Sequence, residues 1–154
     1  MCIRDSNALT MVHCENGWAI DVLVERALAA GQTDPIYHAH TRPEILEAEA
    51  THRSVRLAEL ANASVFIVHV TCGLAADEIA RGKARGVQVS GETCLQYLTN
   101  TIHDLERPDF EGARYVCSLL NGQWSVETLS SVPFCIASHR SSQLRSSRSG
   151  GEQT

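Results

Sequence analysis

Between Ala8 and Ser118 the spacing of apolar residues changes several times, and each change predicts an element. Ala8-Leu9-Thr10-Met11-Val12-His13 is a short apolar run of β character and reads as a buried strand. Asn16-Gly17 turns the chain. From Trp18 to Ala30 apolar residues recur at Ile20, Leu23, Val24, Ala27 and Leu28, a helical face that Gly31 stops. After Asp34-Pro35 a second helix is expected from near Pro43, where proline suits the first turn, to about Ala61. Glu44, Glu47 and Glu49 lie near its positive end, with Arg53 and Arg56 further along. Ser64 to Val70 is a continuous β-branched and aromatic run, as expected for a strand covered on both faces. Ala75 to Arg85 predicts a third helix ended by Gly86, Val87 to Glu92 a third strand, and Arg114 to Ser118 a fourth. Thr93 to Gly112 reads as a long loop with one helical turn around Thr101 to Leu105.

Strands alternating with helices argue for βαβ units and a parallel sheet, so the fold class is α/β. About four parallel strands are too few to close a (β/α)8 barrel, which takes ~250 residues. They suit a small open sheet or part of something larger. In such folds the chemistry gathers at the C-terminal ends of the strands, which here carry His13, His69, Glu92 and Ser118. Two histidines finishing two parallel strands point into one mouth, and neutral imidazole offers a directed lone pair to a Zn²⁺-type ion. The residues alone leave open whether the two share a metal or make unrelated polar contacts. Glu15 and Asn16 either orient a ligand or cap the helix that begins there. His38-Ala39-His40 has metal-binding HxH spacing, but it is expected in a loop between helices, not at a strand end. His52, His103 and His139 read as surface or filler residues. Neither a Walker loop, a GxGxxG nor a GxSxG occurs.

Composition narrows the classes. The 154 residues are 44% hydrophobic and 20% charged, with a net charge of −5, which suits one globular domain and excludes collagen-like, mucin-like and broadly disordered chains. The mild acidity argues against a nucleic-acid partner. No apolar run reaches the ~18–20 residues of a membrane-spanning helix, and no secretory leader is read at the start. Six cysteines without a CxxC pair read as free thiols in a reducing cytoplasm. Serine is unevenly spread: five fall in residues 1–118 and nine in residues 119–154. The stretch SHRSSQLRSSRSGGEQT is too poor in apolar surface to offset its ordering entropy. Residues 119–154 are therefore expected to form a disordered or frame-shifted tail, and residues 1–6 a leader outside the domain.

The blocks MVHCENG, DPIYHAHTRPEILEAEATHRSVRLAELA, VFIVHVTCGLAADEIARGKARG, GETCLQYL and ERPDFEGARYVCS resemble, in order and spacing, the dihydropyrimidinase/D-hydantoinase family of the amidohydrolase superfamily. The resemblance covers residues 7–118 and implies a partial TIM-type barrel. It implies a metal-dependent hydrolase that opens the cyclic amide bond of dihydropyrimidines or hydantoins. Two divalent ions of zinc type would activate a hydroxide and polarise the carbonyl. By the same resemblance His13 and His69 bind one of these metals, and Ser118 contacts the substrate ring through its backbone. The intact family forms homo-oligomers, mostly tetramers, and takes a small cyclic amide or ureide, with no nucleic-acid or membrane partner.

Several family features are absent. The first-strand HxH pair and the carboxylated bridging lysine belong upstream of His13, and the single lysine, Lys83, lies after His69. No S/T-D-H block supplies the catalytic aspartate, and after Ser118 the family's proline-rich continuation is replaced by Leu119-Leu120-Asn121-Gly122. At most one partial metal site, no catalytic residue and an inactive chain are expected. The alternatives are a non-catalytic, dihydropyrimidinase-like partner-binding protein, or a small independent α/β binding domain. The first of these loses metal ligands at positions where this chain keeps both histidines.

Overall fold

Three of the β-rich runs become strands: β1 (Thr10–His13), β2 (Val65–Val68) and β3 (Val89–Cys94). The computed structural model describes residues 4–117 and 135–137. The strands pair in parallel and in chain order, with Thr10 opposite Val65, His13 opposite Val68 and Val65 opposite Val89. A three-residue strand, β4 (Cys135–Ala137), lies parallel to β3 with Glu92 opposite Cys135. It falls within the stretch 119–154 expected to be disordered; the rest of that stretch lies outside the described residues. The architecture is thus α/β with a parallel sheet, as the alternation of elements predicts.

Helix α1 (Gly17–Ala29) starts where the Asn16 side chain accepts the Ala19 amide at 3.3 Å. It stops before Gly31, whose φ of 71° ends the helical path. Directly after Asp34-Pro35 comes a short helix, α2 (Ile36–His40), where a loop is expected. That placement disposes of the HxH pair: residues two apart point to different sides of a helix, so His38 and His40 diverge and cannot chelate one ion. Helix α3 (Glu44–Ala61) follows Pro43 and is closed by Asn62 in the left-handed conformation, φ 48°. Helix α4 (Gly73–Ala84) follows β2. Strand β3 begins and ends two residues later than the sequence pattern suggests. Beyond it lie a single turn, α5 (Gln96–Thr99), and two 3-10 turns, Ile102–Glu106 and Glu111–Tyr115. No helix among the described residues is long and apolar enough to cross a membrane.

The fourth expected strand, Arg114 to Ser118, is not one. Residues Glu111–Tyr115 are a 3-10 turn, entered through Asp109 and Phe110 in left-handed conformations. Tertiary contacts overrule the β propensity of Tyr-Val-Cys here. The Arg107 guanidinium lies over the Tyr115 ring at 4.3 Å, and Gly112 is buried against the backbone of Leu105. Ser118 itself lies outside the described residues.

The core is one-sided. Val55 and Ala58 of α3 and Ala75, Ala76 and Ile79 of α4 pack with Val65, Ile67 and Val89 of the strands. Val12 leans against this cluster, while Met11 and His13, which alternate with it on β1, are exposed. One carboxyl is sealed into the packed side. Glu47 of α3 is 3% exposed, and its two carboxyl oxygens accept the Thr71 amide at 2.8 Å and the Thr71 hydroxyl at 2.5 Å. Burial pushes the Glu47 carboxyl up to about 7, against the lowering effect of the two Thr71 donors. Either protonation state keeps two bonds, because the threonine hydroxyl can donate to a carboxylate or accept from a carboxylic acid.

Two outcomes follow from this packing. A Cβ on Gly112 would lie 2.7 Å from the Leu105 carbonyl carbon, which is backbone and cannot rotate away. In Gly112→Ala, amide hydrogen exchange should therefore accelerate across residues 102–117 and stay unchanged in α3 and α4. The second outcome concerns Glu47. A folded pKa raised above the unfolded one means that the folded state holds a proton the unfolded state has lost. Stability from this group is then full below the unfolded value and falls as pH rises to about 7. Urea unfolding of the wild type should lose up to about 3 kcal/mol relative to Glu47→Gln between pH 4.5 and 7.5, and no more above that. A constant difference across this range would refute the assignment.

Candidate functional site

The end of the sheet is built by register. His13 is the last residue of β1 and pairs with Val68, the last of β2, so residue 69 is the next position along the same edge. There the backbone turns into the left-handed region, with φ 43° at His69. The two imidazoles meet: Nδ1 of His13 lies 2.5 Å from Nε2 of His69, with ring centroids 4.6 Å apart and planes tilted by 49°. Two ring nitrogens cannot face each other this closely with both lone pairs free, so one imidazole N–H donates to the other ring's nitrogen, the donor being set by the tautomers.

The donor chemistry suits a cation. Two nitrogens that bind one zinc-type ion tetrahedrally at ~2.0–2.1 Å are about 3.3 Å apart, so the two rings, in direct contact here, would have to part slightly to take one. A small outward rotation of either ring would admit the ion. Burial holds the His69 imidazole below its ordinary pKa; a backbone hydrogen bond opposes this and the charge of His13 adds to it. Among the described residues no group of three or more His, Cys, Asp or Glu side chains is placed to hold a metal, fewer than the four ligands a tetrahedral ion takes.

The neighbouring residues divide into structural and positioning roles. Asn16 caps α1 and donates from Nδ2 to Glu49 at 2.7 Å, so the capping reading holds for it. The Glu15 carboxylate lies 3.9 Å from the Arg42 guanidinium. Glu92 contributes its backbone carbonyl, which accepts the Val70 amide at 2.7 Å and pins the chain just after His69. His38 does not face the histidine pair as a ligand. Its Nε2 bonds the Cys117 carbonyl at 3.0 Å, tying α2 to the residue before Ser118. Burial, then the charge of Arg42, holds His38 below its ordinary pKa. His52 and His103 pair with Glu78 and Glu106 on the surface, and Lys83 lies half-buried on α4. His139 lies outside the described residues.

Sequence reasoning overlooked Glu47 and Thr71. Glu47 reads as a carboxylate placed to favour the helix N-terminus, yet its spacing carries another signal. Glu47, Thr51, Val55 and Ala58 recur every three or four residues and form one buried stripe of α3. A charged residue in register with a buried stripe is a candidate for an internal hydrogen bond.

The arrangement has close relatives. No family model matches the chain. It is 54% identical over 114 residues to a D-hydantoinase of Streptomyces coelicolor, covering 74% of this chain and 24% of that protein. It is 57% identical over 111 residues to a D-hydantoinase of Rhizobium radiobacter, covering 72% of this chain and 24% of that protein. A crystal structure of dihydropyrimidinase from Brevibacillus agri superposes with a TM-score of 0.79 at 50% identity, covering 82% of this chain and 28% of that one. The chain thus spans about a quarter of the length of the relatives it matches. Identity of this order, joined to the same fold, shows that over about three quarters of its length the chain belongs to the D-hydantoinase/dihydropyrimidinase family.

Proposed function

We propose that residues 7–118 are part of the (β/α)8 barrel of a metal-dependent cyclic amidohydrolase acting on dihydropyrimidines or hydantoins. His13 and His69 would hold one of its two divalent ions, of zinc type. The observation that carries this reading is the convergence of the two imidazole nitrogens at the ends of adjacent parallel strands. Kinship with D-hydantoinases supplies the substrate class, a small cyclic amide or ureide, and neither nucleic acid nor membrane enters. The intact homo-oligomer would work in a reducing cytoplasm, in keeping with the free thiols of Cys14, Cys72, Cys94 and Cys117.

In this reading each residue has a limited task. His13 and His69 would present ring nitrogens to the ion, at the exposed end of β1 and the start of the turn after β2. The His38 side chain holds the Cys117 carbonyl and with it the approach to Ser118, whose backbone would contact the substrate ring. Divalent ions held there would supply an activated water and polarise the scissile carbonyl. The chain carries neither a lysine before His13 nor an S/T-D-H aspartate, so nothing in it bridges two ions or shuttles the proton. It is accordingly inactive on its own. The non-catalytic, partner-binding alternative is less favoured because both histidines are kept and converge.

Two measurements test this. Zn²⁺ added to the isotope-labelled chain should shift the imidazole resonances of His13 and His69 together, and His13→Ala should weaken that binding by about tenfold or more. Shifts confined to other histidines would remove the metal reading. With Zn²⁺ present, ring opening of dihydrouracil or hydantoin by the chain should stay at the uncatalysed background; metal-dependent turnover would show that the missing aspartate is not required.

A further inference from the structure

Glu47 is a buried carboxyl to which the proposed chemistry assigns no task. It sits on α3, and both of its oxygens are spent on a single residue of the turn that follows β2. That residue, Thr71, is fully buried and lies two positions beyond His69.

The turn needs holding. His69 carries a side chain in a backbone conformation that favours glycine, and such residues persist only where their surroundings over-determine them. Three contacts do so. The Val70 amide reaches the Glu92 carbonyl of β3 at 2.7 Å, a bond any sequence could make. The Thr71 amide and hydroxyl both reach Glu47, and these bonds depend on the residue at position 47. The Cys72 thiol lies 3.8 Å from the Glu44 carbonyl, one turn earlier on the same helix. Residues 70 to 72 are thus held between β3 and the first two turns of α3, and His69 is the first residue of the turn outside that grip.

We propose that Glu47 is a positioning residue for His69: by accepting both donors of Thr71 it fixes the turn that presents the His69 ring to His13. The proposal rests on the reading that this imidazole pair binds a divalent ion, and it deepens that reading by naming what aims one of the two ligands. Glu47 touches neither the ion nor a substrate. A glutamine would keep the acceptor for the Thr71 amide and turn its NH₂ toward the threonine hydroxyl, preserving both bonds; alanine would leave both donors buried and unpaired.

The test uses the full chain with isotope-labelled histidine and two readouts. In the metal-free wild type a ring-to-ring nuclear Overhauser contact between His13 and His69 should be present. It should survive in Glu47→Gln and in the control Arg56→Ala on the same helix, and be lost in Glu47→Ala. Zn²⁺ affinity read at the same imidazoles should fall by about tenfold or more in Glu47→Ala and stay within about threefold of wild type in Glu47→Gln. A folded Glu47→Ala that keeps both the ring contact and the affinity overturns the proposal, as does a wild type without the contact. If Glu47→Ala does not fold, Thr71→Val decides: it removes only the hydroxyl bond, and weakened ring contact supports the proposal while an unchanged one overturns it. If the wild type shows the ring contact but no Zn²⁺ response, the metal reading fails. The contact in the variants then still decides what Glu47 does.

Discussion

Everything at the open edge depends on two parallel strands ending level. The register that sets His13 against Val68 is held by burial: Val65 and Ile67 pack with α3 and α4, and a slip of one residue would turn them away. Hydrophobic packing of α3 and α4 on one side of the sheet therefore determines, without direct contact, where two imidazoles meet on its rim. The left-handed step at His69 completes the approach. No local preference of histidine would produce it, so it is a product of what surrounds the turn.

Those surroundings include a sealed carboxyl, which is costly to bury in charged form. The fold accepts that cost because an alternative without it would leave the Thr71 amide and hydroxyl buried and unpaired. Other buried threonines differ: the Thr41 hydroxyl donates to backbone carbonyls of α2, and Thr51 and Thr93 have no hydrogen-bond partner for Oγ1 among the described residues. Thr71 pairs both its amide and its hydroxyl with one side chain from another element.

Much of this was legible from the chain itself. Long runs with one clear period, the Val65–Val68 strand and α3, fall where the pattern places them, because their burial and their local propensity agree. The strand-end histidines were readable for the same reason: a polar residue terminating an apolar run on each of two strands has one shared place to go. Short segments were not readable. His38 to His40 lacks the length for a periodic signal, and its helical turn is set by the proline before it and by the bond from His38 to Cys117. Tyr115 to Cys117 has β-forming residues but is held out of the sheet by contacts with Arg107 and Leu105, separated in sequence and invisible to a local pattern. Glu47 was hidden by its chemistry, since a glutamate near a helix start has a ready surface explanation.

The two ends of the described structure are held by different forces. Between α3 and α4 the buried contacts are aliphatic, while ion pairs such as His52–Glu78 and Glu59–Arg85 line their exposed margin. Between Thr101 and Tyr115 many are electrostatic: Asp104 caps the Thr101 amide at 3.0 Å and takes the Arg107 guanidinium at 2.7 Å, and that same guanidinium covers Tyr115. Dissolved ions weaken the second kind of contact, and strongly hydrated anions such as sulfate strengthen the first. Rising ionic strength thus pulls the molecule in opposite directions, tightening the aliphatic core while loosening the ion pairs on the outer margin of α3 and α4 and the peripheral clasp that leads to Cys117.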